Sequence, residues 1–302
     1  MIAKLAGRFA LAGASCVAYG ALIEANAFQV RRVHVPVLPA GAQRIRVLHV
    51  SDIHLSLGKR ARLKFVAALA GLEPDLVVNT GDNLGQAEAM GPLLEAFGRL
   101  LNVPGVFVFG SNDYSAPKLT NPLAYLASST SRHGRPEDRA ELPTEELRTG
   151  LSSGGWQNLT GRRVTLDVRG TRLEFRGTDD AHLHRDHYSL VAGPPAEDAD
   201  LAIGVTHAPY SRVLNAMAAD GLPLVFAGHT HGGQVCVPGW GALTTNCDLP
   251  TSEAKGLSRH RTPNGAIWLQ VSAGLGSSPF APYRFACPPE VTLLTLTPGP
   301  NG

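Results

Sequence analysis

The sequence predicts an α/β protein with a layered core built on buried, largely parallel strands. Short apolar runs rich in β-branched residues recur along the chain, and amphipathic helical patterns separate the early ones. Nearly every run also ends in a residue type that can bind a metal. Strand–helix–strand connections are right-handed, so the carboxyl ends of such strands share one edge, where binding sites collect.

The strands follow in order. "RIRVLHVSDIH" ends in Asp52 and His54, and "DLVVNTGDN" ends in Gly81-Asp82-Asn83. "GVFVFGSNDY" ends in Asn112 and Asp113, "LAIGVTHAPY" carries His207, and "PLVFAGHTH" ends in His229 and His231. "AIWLQVSAGLG" closes the series without such a ligand. Between the first strands, residues 58–73 place Leu63, Val66, Ala67 and Ala70 on one helical face, with Gly71 as the stop. Residues 87–101 repeat that pattern, and residues 162–177 alternate as a hairpin turning at "DVRGTR". Residues 115–160 turn polar and read as a surface excursion with one or two helices.

The chain has 302 residues, 44% of them hydrophobic, which is enough for one large core or two modest ones. A net charge of +2 gives no nucleic-acid-binding signature. Cys16, Cys236, Cys247 and Cys287 lack CxxC spacing, which speaks against a zinc ribbon and leaves one disulfide open for an exported chain. The first 30 residues stand apart. Lys4 and Arg8 precede an uncharged stretch from Phe9 to Ile23, shorter than the roughly 20 residues of an unaided span. Residues 1–30 therefore read as an export signal or a short membrane anchor, 31–43 as a connector, and 44–298 as the main folded domain. That organisation predicts a protein that is membrane-associated or exported.

Asp52, His54, Asp82, Asn112, His207, His229 and His231 thus come to one neighbourhood. Imidazole and carboxylate suit borderline divalent ions. Seven ligands exceed the needs of one four-coordinate ion and suit two, about 3.5–4 Å apart, with one bridging group. Asp82 is the natural bridge, since a carboxylate has two oxygens. Asp52 and His54, two residues apart in an extended segment, can reach one ion. Such a pair of ions binds phosphate and activates a bridging hydroxide, which is the chemistry of phosphoester hydrolysis.

D-x-H at 52–54, G-D at 81–82, G-S-N-D at 110–113, T-H at 206–207 and G-H-T-H at 228–231 occur in that order. In this the chain resembles the calcineurin-like metallophosphoesterase family, in particular its small membrane-associated bacterial branch, over roughly residues 44–297. The resemblance implies a four-layer αββα sandwich of two mixed sheets and two divalent ions (Mn, Fe or Zn). It puts Asp52, His54, Asp82 and His231 on one ion and Asp82, Asn112, His207 and His229 on the other. It also implies a phosphodiesterase, phosphomonoesterase or pyrophosphohydrolase acting on a phosphorylated small molecule or lipid, with Asp82, Asn112, Asp113 and His207 at the reacting phosphate.

One motif departs from the family, which has G-N-H-D where this chain has Gly110-Ser111-Asn112-Asp113. Either Asn112 ligates and the histidine is absent, or Ser111 fills the ligand slot and Asn112 the histidine slot. On both readings the usual imidazole acid is missing, which favours substrates with acidic leaving groups such as phosphoanhydrides or aryl phosphates. Asp113 could replace it only with a raised pKa.

Other residues read more plainly. "GLSSG" at 150–154 matches a nucleophile-elbow pattern but follows a polar, helix-like stretch. His182, His184 and His187 read as solvent-facing, and Asp179 and Asp180 as caps. Asn83 orients a ligand or closes its turn, His49 is a core histidine, and Cys287 is a small buried hydrophobe. Arg284, in the loop after the last core strand, is placed either to bind a substrate phosphate or to make a surface salt bridge. Two rivals remain: a catalytically weak metal- or phosphate-binding scaffold of the same fold, and a single-metal hydrolase of another ester or amide.

Overall fold

A computed structural model describes residues 13–117, 139–277 and 280–299. Lys4 and Arg8, and much of the expected excursion after residue 115, lie outside the described residues.

Two six-stranded sheets form the centre. The first runs β1 (Gln29–Leu38), β14 (Glu290–Pro298), β2 (Ile45–Val50), β3 (Leu76–Asn79), β4 (Gly105–Phe107), β5 (Gln157–Asn158). The second runs β12 (Gly256–Thr262), β13 (Gly265–Val271), β9 (Leu224–Ala227), β8 (Leu201–Val205), β7 (Thr171–Gly177), β6 (Arg162–Val168). Both are mixed: β2, β3, β4 and β5 are parallel, as are β7, β8, β9 and β13, while β14 against β2, and the outer pairs β12–β13 and β6–β7, are antiparallel. A two-stranded ribbon, β10 (Cys236–Val237) with β11 (Gly241–Ala242), lies apart.

The strand period of two produces four layers. Val47, Leu76 and Val78 of the first sheet meet Phe175, Ile203, Leu224 and Phe226 of the second in one buried cluster. The alternate residues Leu48, Val50 and Val77 point the other way, onto Val66, Leu93, Phe97, Leu147 and Leu151 of the helices Arg60–Ala68, Met90–Phe97 and Thr144–Ser153. Behind the second sheet, Val225, Ile267 and Leu269 pack on Val213, Leu214 and Met217 of the helix Ser211–Ala219. This is the expected αββα sandwich.

Several local expectations change. The segment read as a connector lies largely in β1, which pairs in parallel with β14 from Gln29 to Leu38. The sheet needed an edge strand, and the alternating Val residues of "QVRRVHVPVL" supply it. The helix after β2 stops at Ala68 and tightens to a 3₁₀ turn that ends at Glu73, the left-handed residue, instead of at Gly71. Its buried face carries Arg62, Val66 and Leu69, and Ala67 is exposed. The β6–β7 hairpin turns at Arg169-Gly170, both with positive φ, the geometry that matches strand twist. "GLSSG" lies on the helix Thr144–Ser153 and its end, so the strand–turn–helix of a nucleophile elbow is absent there.

Residues 13–22 are helical, and no helix among the described residues is long and apolar enough to cross a membrane. The end of this segment docks on the body: the Glu24 carboxylate, itself buried, accepts from the Cys287 amide at 2.5 Å, and Tyr19 meets Phe285 edge-on.

Candidate metal centre

The expected ligands do converge at the carboxyl ends of β2, β3, β8 and β9. Asp52, His54, Asp82, His229 and His231 all adopt positive φ, between 42° and 69°. For residues with a Cβ this costs roughly 1–3 kcal/mol each, and such strain persists where the surroundings over-determine it. The sharp turns let each strand end and aim its ligand within one or two residues. Glycines make the close approaches. A Cβ on Gly110 would collide with Asp82 Oδ1, and one on Gly228 would lie 2.5 Å from Asp52 Oδ2.

Two groups of ligand atoms lie within 4.8 Å of one another: Asp52, His54 and His231, and Asp52, Asp82 and His207. Asp82 joins both regions, with Oδ2 3.4 Å from His54 Nε2 and 3.6 Å from His207 Nε2. His231 Nε2 is 3.6 Å from Asp52 Oδ1 and 3.1 Å from His54 Nε2. Asn112 also reaches the centre. Its backbone N–H donates to Asp82 Oδ1 and its amide to Asp82 Oδ2, each at 2.7 Å. Ser111 is buried beside it. His229 falls outside both tight groups, but its ring lies 5.2 Å from that of His207 and its N–H donates to the Asp52 carboxylate.

The donor set fits divalent ions. A ligating imidazole needs its second nitrogen held as a donor elsewhere. His207 Nδ1 meets Thr80 O at 2.7 Å, and its Nε2 is buried with no hydrogen-bond partner. His231 Nδ1 meets Gly276 O at 3.1 Å, which leaves Nε2 as the lone-pair nitrogen facing His54. His229 Nε2 meets Asn246 O at 3.1 Å. Burial pushes the His54 pKa down to about 4 and that of His231 well below its ordinary value, so both imidazoles are neutral. At His207 burial acts downward, but Asp82, Asp180 and Asp52 outweigh it and push the pKa up to about 9. Burial pushes Asp82 up, yet His207, His54 and Asn112 hold its carboxyl well below the usual range. Burial and Asp82 push Asp52 up to about 6. Carboxylates crowded this closely, with the neutral imidazoles of His54 and His231 among them, are what cations neutralise.

A second ring of residues fixes the ligands. Asp113, fully buried, accepts from the N–H groups of Asp82, Asn83 and Gly110 and from the Asn83 amide, at 2.7 to 3.3 Å. Its carboxyl is pushed up to about 7 by burial and by Asp82, against those donors. The raised pKa meets the condition for proton donation, and the four N–H groups aimed at the carboxylate also make it an acceptor that positions the Asp82 turn. Asn83, held by Asn79 at 2.8 Å, completes that turn. Behind Asp52 runs a buried chain in which His49 Nε2 meets Thr80 Oγ1, Thr80 donates to Ser51, and Ser51 donates to Asp52. His49 is thus a core histidine tied to a ligand.

Two expectations are corrected. Arg284 is 1% exposed, and its guanidinium donates to the carbonyls of Ala273, Gly274, Gly276, His231 and Cys287. It braces the loops that carry His231 and is spent as a phosphate ligand. His182 is buried, with its ring 4.4 Å from that of His229 and Nδ1 3.0 Å from Tyr210 Oη. Charged neighbours in sequence masked this, whereas His184 and His187 are exposed as expected. Asp180 is fully buried. Its Oδ1 caps the His182 N–H, its Oδ2 has no partner, and burial pushes its carboxyl up to about 7. All four cysteines are free thiols.

Known proteins resemble the chain over most of its length. It is 26% identical over 259 residues to the uncharacterized protein YpbG of Bacillus subtilis, covering 85% of this chain and 82% of that one. It is 26% identical over 301 residues to phosphodiesterase YaeI of Escherichia coli, covering 95% and 94%. It is also 26% identical over 311 residues to UDP-2,3-diacylglucosamine pyrophosphatase LpxG of Chlamydia trachomatis, covering 90% of each. Among solved structures, TT1561 of Thermus thermophilus aligns with a TM-score of 0.41 at 12% identity, over 77% of this chain and 91% of that one. Residues 45–233 match the calcineurin-like phosphoesterase family, and the chain belongs to that family of phosphoester hydrolases.

Proposed function

We propose that this chain hydrolyses phosphodiester or phosphoanhydride bonds with two divalent ions, Mn, Fe or Zn. The observation that carries the reading is the Asp82 carboxylate, one oxygen of which lies within 3.6 Å of imidazoles from both sides, His54 and His207. Asp52, His54, Asp82 and His231 would hold one ion, and Asp82, Asn112, His207 and His229 the other. Bound there, the ions would take phosphate oxygens and lower the pKa of a water shared between them. The chain's own part is to hold these ligands neutral or charged as required, exclude water behind them and orient the phosphate through Asn112 and His207. The names of two relatives, a phosphodiesterase and a pyrophosphatase, support the substrate class.

The N-terminal stretch is part of the reading as a membrane or export element. Val17, Leu22 and Ile23 are exposed at its end, consistent with a lipid-facing surface. A second reading, a scaffold with vestigial activity, draws on the absent histidine in the Gly110–Asp113 turn. The test is bis-p-nitrophenyl phosphate hydrolysis by the full chain, stripped of metal and reloaded with Mn²⁺, beside Asp82→Asn. Metal-dependent turnover that the substitution abolishes supports the hydrolase. No turnover with both ions bound supports the scaffold.

A further inference from the structure

Arg62 is buried at 6% exposure on the helix Arg60–Ala68, yet no carboxylate pairs with it among the described residues. Its Nη1 donates to Ile53 O at 2.8 Å and His54 O at 2.9 Å, while its Nε is buried without a partner. Burying a guanidinium without an anion is costly, and the cost is recovered where an anion arrives. Arg62 lines a small pocket, open to solvent and with a cavity volume of about 30 Å³, together with His54, Ser56, Lys59, Ser277 and Asn26. Among the described residues its lining carries two cations and two hydroxyls and no carboxylate, and one wall is the metal-ligand candidate His54. Ala21 and Ala25, from the N-terminal segment, close another side.

We propose that this pocket binds the second, non-transferred phosphate of a phosphoanhydride whose scissile phosphoryl group sits at the Asp82 centre. The inference rests on the hydrolase reading above. In the reaction a water oxygen forms the new P–O bond and the bridging P–O bond breaks, its electron pair staying on the departing phosphate. One water hydrogen remains on the new P–OH and the other goes to solvent, so the departing phosphate leaves unprotonated. Arg62 and Lys59 neutralise the charge that develops on it. A leaving group stabilised in this way needs no proton, which accounts for a site without the histidine acid.

The test uses the full chain and two probes, methylenediphosphonate and methylphosphonate, titrated calorimetrically into metal-free protein. The wild type binds the diphosphonate more tightly, and Lys59→Gln weakens that binding about tenfold or more, the worth of one charge-assisted hydrogen bond. On Mn²⁺-loaded protein, the ratio of kcat/KM for a nucleoside diphosphate sugar to that for bis-p-nitrophenyl phosphate falls about tenfold in Lys59→Gln. Arg162→Gln, at an exposed position on β6, leaves that ratio unchanged. Diphosphonate that fails to bind, binds no better than methylphosphonate, or binds Lys59→Gln as well as wild type overturns the proposal. Loss of all turnover by loaded wild-type protein sinks the hydrolase reading instead, and the metal-free titration distinguishes the two failures.

Discussion

Asp82 Oδ2 lies 3.6 Å from His207 Nε2, a buried imidazole nitrogen with no hydrogen-bond partner among the described residues. The same oxygen reaches His54 from the other side at 3.4 Å, so one carboxylate is shared by candidate ligands from two other strand ends. Removing its charge while keeping its size should uncouple the two halves. Asp82→Asn is expected to lower metal-dependent turnover of bis-p-nitrophenyl phosphate by at least about 10²-fold, with the circular dichroism spectrum unchanged. Wild-type turnover in the Asp82→Asn protein would sink the bridging role.

Asp113 offers a sharper test of the second ring. Its carboxylate gathers three backbone N–H groups around the Asp82 turn, and an amide could accept from only part of that set. Asp113→Asn is expected to weaken Mn²⁺ binding about 10–100-fold, read by competition with a chelating dye. A change in turnover at saturating Mn²⁺ without a change in affinity would point back to proton donation.

The missing imidazole predicts a steep dependence on the leaving group. General acid help is worth about 10²–10⁴-fold, felt most by alkyl esters and least by aryl esters or anhydrides. A series of phosphodiesters should therefore show log kcat/KM falling strongly as the leaving-group pKa rises. A flat series would mean that another donor serves, and His182, packed against His229, would then be the residue to replace.

His49 gives a pH dependence outside the ligand set. Burial pushes its pKa down to about 3, so the folded state keeps it neutral while the unfolded chain protonates it near 6.5. Its depressed pKa makes stability fall as pH drops below about 6.5, by about 1.4 kcal/mol per pH unit, until the folded pKa is reached. His49→Phe should flatten that part of the urea-unfolding profile between pH 6.5 and 4. An equally steep profile in the variant would assign the acid sensitivity elsewhere.

Much of this architecture was legible in the chain. The β-branched runs ending in Asp52, Asp82 and His229 marked both the strands and the edge they share, because a buried strand declares itself by composition and its terminal polar residue by contrast. Less visible were contributions set by long-range contact. Residues 31–38, part of the stretch that reads as a connector, gain their strand only from β14, some 260 residues later. Arg284 reads as a surface cation, yet five carbonyls from distant loops claim it. His182 sits in a charged stretch whose local character says nothing of the ring it packs against. Arg62 falls on the buried face of a helix whose pattern was read from its apolar residues alone.

Metal stoichiometry tests the central claim most directly. The full chain is the right material, since Glu24 and the Gln29–Leu38 strand are built into the body. After reconstitution with Mn²⁺ and removal of excess ion, elemental analysis should find two ions per chain, with an electron paramagnetic resonance spectrum of a spin-coupled pair. Asp82→Asn should lose the coupling. One ion per chain, or two uncoupled ions in the wild type, would contradict a centre bridged by Asp82.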